Sequence, residues 1–423
     1  MNIVKQIFGG DVRQFGMVMA LIVITLFFAW QTNGIAVTPG NVINIVQGNA
    51  YILVLAIGMV FVIIAGHIDL SVGSVAAAVG IIVARAMSDW GLPWFVAILL
   101  GLGMGVLIGA WQGWWVAYVG IPGFIVTLAG YMIFRGVNQL IGKSLTVATP
   151  PGFNTIGDGF LPEVGPNTGY NNLTVLLGVL ICAVIVTGGL RTRVAQRKIG
   201  VELEAPLVLG LRLGAICLAI MVIALLMASG RRGTSLPVSG IILGALILIY
   251  SFLANKTVIG RHVYAVGGNR NAAELSGVKS KRTYFLVMMN MSVLASLAGM
   301  MFVARSNASG PGDGLGWELD AIAAVFIGGA AVSGGVGTVV GSIIGGLVMA
   351  VLNNGLQLMG VGADLTYVIK GLVLLVAVAF DVMNKKAGRP SIIGFLTRGK
   401  PTPTVATEDP ADIGKATPVQ QTV

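Results

Sequence analysis

A chain of 423 residues that is 56% hydrophobic and only 10% charged, with a mean hydropathy of +0.91, has too little polar surface to coat a soluble globule. Its apolar residues must face lipid. The net charge of +10 is gathered in a few loops, which argues for a topology signal and against a nucleic-acid surface.

Apolar runs long enough to cross a hydrocarbon core, about 20 residues each, recur from Met17 almost to Met383. In chain order the predicted segments lie around 15–33, 41–65, 72–86, 93–117, 122–141, 173–190, 207–228, 236–254, 285–305, 319–331, 338–359 and 365–383. The fold class is therefore an all-α polytopic membrane protein, with about ten transmembrane helices among 10 to 12 apolar segments, some of them broken or half-helices. The first run, Met17 to Trp30, follows Lys5 and Arg13 but lacks a small-residue cleavage site, so it reads as a retained helix behind a cytoplasmic N-terminus at 1–14.

An even number of segments starting inside places both termini in the cytoplasm. The positive-inside rule agrees: Arg191, Arg193, Arg197 and Lys198 fill one loop; Lys256, Arg261, Arg270, Lys279, Lys281 and Arg282 fill another; Lys385, Lys386, Arg389, Arg398, Lys400 and Lys415 follow the last run. Arg231 and Arg232, in a short external loop, dissent. The membrane domain spans 15–386. Its long external segment, 143–172, is rich in Pro, Gly and Asn and is expected on the outer face of the bundle. Residues 387–423 have too little apolar surface to fold alone and are expected as a disordered cytoplasmic tail.

The stretch 319–331 spans only about 20 Å as a helix, short of a core of about 30 Å. With the Gly-interrupted start near Ser71, it suggests helices that enter the membrane without crossing it. A two-fold internal repeat is also visible. The sequence from Gly105 (GVLIGAWQGWWVAYVGIPGF) resembles that from Gly341 (GSIIGGLVMAVLNNGLQLMG), and a Gly and Ser rich break stands before each. In transporters the pathway lies between such halves.

The segment GHIDLSVGS, Gly66 to Ser74, holds a carboxylate at bilayer depth, where an unpaired charge costs several kcal/mol. Asp69 must therefore face protein or water. Asp69, Ser71, Gly73 and Ser74, together with Ser333, Gly334 and Gly335 of the second break, are candidate translocation-pathway residues. Two roles are open to Asp69: contact with the transported molecule, or capping of the helix that follows. Other intramembrane charges are Arg135, Arg305, Asp320 and Lys370, with Arg212 near a helix end. Pairing of Asp69 or Asp320 with one of the cations is expected, without the sequence choosing the pair; snorkelling to an interface is the alternative for Arg135, Arg305 and Lys370.

Catalysis is disfavoured. GVNQLIGKS, from Gly136, has five residues between its glycines where a phosphate loop needs four. GLGMGVLIG from Gly101 and GGVGTVVG from Gly334 read as close-packing helix faces. Cys182 and Cys217 lie in apolar runs, and His67 and His262 are the only histidines, so neither a metal site nor a disulfide framework is expected.

The basic loop at 255–284 contains GRHVYAVGGNRNAAELSGVKSKR, from Gly260. Asn269 or Asn271 can cap a short helix through Ala272, Ala273, Glu274 and Leu275, which Ser276 and Gly277 then end. Such a helix has the shape to dock into a cytoplasmic partner; an ordinary topogenic loop is the other reading.

As an ordered set, GHIDLSVGS, GRHVYAVGGNRNAAELSGV, FIGGAAVSGGVGTVVGSIIGG and IKGLVLLVAVAFDV resemble the permease family of bacterial ABC importers for ribose, xylose, galactose and multiple monosaccharides. The resemblance runs from about Gln14 to Lys386, and length and the long external segment look most like the xylose and multiple-monosaccharide branch. It implies an inner-membrane permease that moves a monosaccharide inward by alternating access. It also implies a second copy in a homodimer, a cytoplasmic ATPase subunit that binds ATP and Mg, and an extracytoplasmic sugar-binding protein, with no cofactor on this chain. In the family, the stretch matching Gly267, Gly268 and Asn269 through Gly277 is the ATPase-coupling element. The tail beyond Lys386 departs from the pattern and is expected to be dispensable. Rival readings are an ABC permease for branched-chain amino acids and a stand-alone ion-coupled transporter with Asp69 as its titratable group.

Overall fold

Proline and glycine punctuate the chain. Pro39 and Pro206 open their helices, where the missing N–H costs nothing, and Pro93, Pro122 and Pro237 stand directly before three others. The computed structural model describes residues 12–200, 205–230 and 235–386. Arg231, Arg232, the first eleven residues and the tail 387–423 lie outside the described residues.

The helices are α1 (Val12–Gln31), α2 (Pro39–Ile64), α3 (Val72–Ser88), α4 (Trp94–Trp114, continuing as a π turn to Val119), α5 (Gly123–Gly142) and the single turn α6 (Thr155–Asp158). They continue as α7 (Asn172–Lys198), α8 (Pro206–Ala228), α9 (Val238–Lys256), α10 (Val258–Gly268), α11 (Arg270–Leu275), α12 (Ser280–Ser306), α13 (Trp317–Ile327), α14 (Val339–Leu358) and α15 (Ala363–Lys386). Two residues each of β1 (Val147–Ala148) and β2 (Ala308–Ser309) pair antiparallel, Val147 with Ser309 and Ala148 with Ala308.

Among the described residues eight helices are long and apolar enough to cross a membrane, and two shorter apolar helices, Gly16–Gln31 and Val72–Ser88, accompany them. The chain is an all-α polytopic membrane protein. The half-helix expected at 319–331 is present as α13, whose 11 residues rise about 16 Å, half of a core of about 30 Å. The two copies of the internal repeat fall on the helix pairs α4–α5 and α14–α15.

The core lies where α12 passes between α2, α3 and α4. Val54 to Ile57 of α2 and Met288 and Met291 of α12 have no exposure. Without a hydrophobic driving force between helices in lipid, association depends on close packing, and glycine supplies it. Gly101, Gly105, Gly109 and Gly113 repeat every four residues on α4 and face Met300, Ser296, Met289 and Phe285 of α12. A Cβ on Gly109 would lie 2.6 Å from the Met289 Cα and 2.7 Å from its carbonyl oxygen. Gly109→Ala is expected to cost about 1–3 kcal/mol in thermal unfolding, whereas Gly103→Ala on the same helix, whose Cβ meets nothing within 4 Å, should leave unfolding unchanged.

One end of the bundle carries the basic segment 255–284 and is called the basic end below; the other carries 143–172. Most of that second segment is exposed, and a few of its residues reach into the bundle. Phe153 is fully buried, and Gly157 sits so close to α12 that a Cβ would lie 2.3 Å from the Arg305 nitrogen and 2.5 Å from the Met301 oxygen. Gln47 of α2 donates to Asp158 Oδ1 at 2.9 Å.

Candidate functional site

Helix α2 ends because Gly66 takes a left-handed conformation, φ +84. The Gly66 and His67 N–H groups donate back to the Ile63 and Val62 carbonyls, the double bond of a glycine-terminated helix. Five residues later α3 begins. Between them Asp69 Oδ1 accepts from the Ser71 N–H at 2.8 Å and from the Ser71 hydroxyl at 2.7 Å. Ser71 Oγ in turn accepts from Gln112 Nε2 of α4 at 2.8 Å. Asp69 and Ser71 are each 1% exposed and Gln112 is fully buried. The carboxylate thus holds the break in shape and, through Ser71, ties it to α4, without accepting from an N–H of α3 itself. Its Oδ2 has no hydrogen-bond partner among the described residues.

Gly73 is pressed against another break. A Cβ there would lie 2.3 Å from the Gly314 carbonyl oxygen and 2.6 Å from Glu318 Oε2. Ser74 is also 1% exposed. The first group of candidate pathway residues is therefore inside the protomer, facing the segment that enters α13.

The second group lies elsewhere. After α13 the chain turns through Gly334 and Gly335, φ +79 and +73, until Thr338 caps α14 by accepting from the Gly341 N–H at 2.9 Å. Gly335 N–H donates to the Ile64 carbonyl, the last residue of α2, at 2.8 Å. The same carbonyl is met by Gly267 of α10: a Cβ on Gly267 would stand 1.7 Å from it. A Cβ on Gly334 would lie 2.9 Å from the Gly267 oxygen, and one on Gly335 would lie 2.7 Å from the Gly268 Cα. Tyr264 closes the group, its hydroxyl donating to the Gly337 carbonyl at 2.7 Å. Ser333 is exposed beside this junction.

The structure thus brings Gly334 and Gly335 together with Gly267 and Gly268, and it sets Gly334 against the start of the first break, where a Cβ would lie 3.2 Å from the Gly66 Cα. Three backbones meet at a single carbonyl with no side chain between them. That approach is possible only for glycine.

Helix α10 occupies what the sequence reading treats as loop. Thr257 caps it, accepting from the Gly260 N–H at 3.2 Å. Helix α11 follows as expected: Asn269 Oδ1 accepts from the Ala272 N–H at 3.0 Å, and Gly277 at φ +85 ends it. Ala273 is buried, whereas Ala272, Glu274, Ser276 and Gly277 are exposed, and Leu275 is 91% exposed.

Glu274 fixes this short helix to the start of α12. It accepts from the Ser280 hydroxyl and, at 2.9 Å, from Arg270 Nε. These partners, Ser280 first, hold its carboxyl below the usual carboxylate range. The Arg270 guanidinium also lies over the Tyr284 ring, 5.6 Å from its centroid, and the other contact of that ring is His67 at 4.5 Å, edge to face. Helix α11 therefore reaches the first break through Arg270, Tyr284 and His67, and the second through Gly267 and Gly268.

The charges deeper in the bundle resolve into one pair. Lys370 Nζ lies 2.7 Å from Asp320 Oδ1 and 2.9 Å from Oδ2, so the partner of Lys370 is Asp320 and not Asp69. Arg135 donates to the Asp313 carbonyl at 3.0 Å. The sequence reading passed over Gln112, Tyr284 and Glu318. Only Glu318 carried a signal there, being a carboxylate in an apolar half-helix and subject to the same argument as Asp69.

Comparison with known proteins agrees with this arrangement. Residues 41–378 match the family described as branched-chain amino acid transport system, permease component. The xylose transport system permease protein of Haemophilus influenzae is 39% identical over 371 residues, 88% of this chain and 96% of that protein. The Escherichia coli xylose permease is 38% identical, over 89% of this chain and 93% of the relative. The Escherichia coli ribose import permease is 32% identical, over 82% and 87% respectively. No solved structure matches. A model that covers most of the membrane helices, and relatives matched over nearly their whole length, place this chain in the family of ABC permease components, within the branch of the sugar permeases.

Proposed function

We propose that this chain is the membrane permease of an ATP-driven importer for a pentose, xylose foremost, and that it works by alternating access. The relatives named for xylose and ribose support the substrate class. The observation that carries the mechanism is the meeting of Gly267, Gly335 and the Ile64 carbonyl. It ties the end of α10, directly before α11, to the end of α2 and to the second break through backbone contacts, so a push on α11 moves the ends of α2 and α14 together. On this reading the basic end and both termini are cytoplasmic, Leu275 docks into a separate ATPase subunit, and the sugar arrives from an extracytoplasmic binding protein. A second copy of the chain completes the pathway as a homodimer. The ATPase supplies ATP and Mg, and this chain binds neither.

The test is sugar-stimulated ATP hydrolysis by the full complex in vesicles. Leu275→Asp places a charge on the docking surface and is expected to lower stimulated hydrolysis at least tenfold, about 1.4 kcal/mol, with the permease itself still folded. Undiminished hydrolysis would remove α11 from the contact. The family description names branched-chain amino acids, so uptake of labelled leucine is the control: leucine transport without xylose transport overturns the substrate assignment.

A further inference from the structure

Helices α7 and α8 stand apart from the core. They pack on each other, with a Cβ on Gly178 falling 2.7 Å from that of Ala224, and α8 also touches α2. Towards the basic end the two helices bound a cavity of about 470 Å³, lined by Val186, Leu190 and Arg193 of α7 and by Leu213, Gly214 and Cys217 among others of α8. Gly214, and Gly210 one turn before it, open the floor of this groove, since a Cβ at either would meet nothing within 4 Å.

The dimensions choose the occupant. From Pro206 to Cys217 the groove runs eleven helical steps, about 16 Å, which matches one leaflet of a hydrocarbon core of about 30 Å. Its length and its apolar lining suit a single hydrocarbon chain. Its charge chooses the headgroup. Arg193 lines the mouth, half-buried, and has no ion-pair partner among the described residues. Arg191, Arg197 and Lys198 share the last turns of α7 with it, and in sequence only two carboxylates, Glu202 and Glu204, follow before α8.

We propose that this groove binds an anionic phospholipid, with one acyl chain between α7 and α8 and the phosphate on Arg193. The leaflet is the cytoplasmic one on the topology proposed above. The occupied groove packs a hairpin that otherwise has little support from the bundle.

The experiment is native mass spectrometry of the full chain released from nanodiscs of equimolar phosphatidylglycerol and phosphatidylcholine. The wild-type chain is expected to retain phosphatidylglycerol about fivefold over phosphatidylcholine, the effect of one basic side chain near an anionic headgroup. Arg193→Gln should abolish the preference, and Gly214→Leu, which fills the groove without touching a charge, should lower retention of both lipids. Equal retention of the two lipids by the wild type, or unchanged retention in both variants, overturns the proposal. So does disulfide cross-linking of Leu190→Cys between two copies, which would show that protein covers the groove. Retention is read without sugar or ATP, so its failure is distinct from failure of the transport reading.

Discussion

Gly267→Ala is expected to lower sugar-stimulated ATP hydrolysis and uptake about 5- to 150-fold, while Gly268→Ala, its neighbour, retains both. A methyl group at 267 would stand 1.7 Å from the Ile64 carbonyl oxygen and 2.9 Å from the Gly335 nitrogen. Both contacts are backbone, and neither can swing aside as a side chain could. Helix α10 must then move away from the end of α2, break the Gly335 to Ile64 hydrogen bond, or do both. Overpacking of this kind costs about 1–3 kcal/mol, and a coupling energy of that size corresponds to about 5- to 150-fold. At Gly268 an added methyl meets nothing within 4 Å, so the control differs only in what the methyl strikes. Size-exclusion of both variants in detergent checks folding. A folded Gly267→Ala chain with normal stimulated hydrolysis would show that the junction does not carry the motion.

The second large effect is on stability. Lys370 and Asp320 are 14% and 15% exposed in their side chains, and they join α15 to α13. Lys370→Met leaves a carboxylate buried without a counter-charge, and breaking one partner of such a pair costs about 3–5 kcal/mol. Pairing it with Asp320→Asn removes the stranded charge and should restore most of the loss. Thermal unfolding of the purified full chain measures this. If the double variant is as unstable as the single one, the stranded carboxylate is not the source of the loss, and the Lys370 side chain acts through its other contacts, such as Tyr367, whose ring centroid is 5.5 Å from Nζ.

Much of the fold was legible because its signals are local. The segment expected at 72–86 is Val72–Ser88, and that expected at 207–228 is Pro206–Ala228; Ser71 before the first and Pro206 at the head of the second mark helix starts, and a mainly apolar run follows each. The short docking helix was readable from Asn269 and Gly277, residues whose chemistry caps and ends a helix without help from elsewhere. Helix α10 was not, because Gly260, Gly267 and Gly268 look like loop residues in sequence and are there for close approach. The junction itself was hidden for the same reason. A contact made by three backbones leaves no pattern of side chains, and Ile64, Gly267 and Gly335 are too far apart in sequence for spacing to connect them. Lys370 had several possible partners in sequence, and only tertiary packing could choose Asp320.

At the end opposite the junction, β1 stitches the chain after α5 to the chain after α12, Thr149 donates to the Asn307 carbonyl at 3.0 Å, and Gly157 is wedged against the last turn of α12. On the alternating-access reading proposed above, a bundle fastened at one end and jointed through bare backbone at the other would work as tongs. The stitched end would be the fulcrum, and the 27 residues of α12 would be a lever arm of about 40 Å. Each degree of tilt about that fulcrum displaces the glycine joint by about 0.7 Å, so the few degrees that leave the clasp intact are enough to part backbones that touch at a single carbonyl.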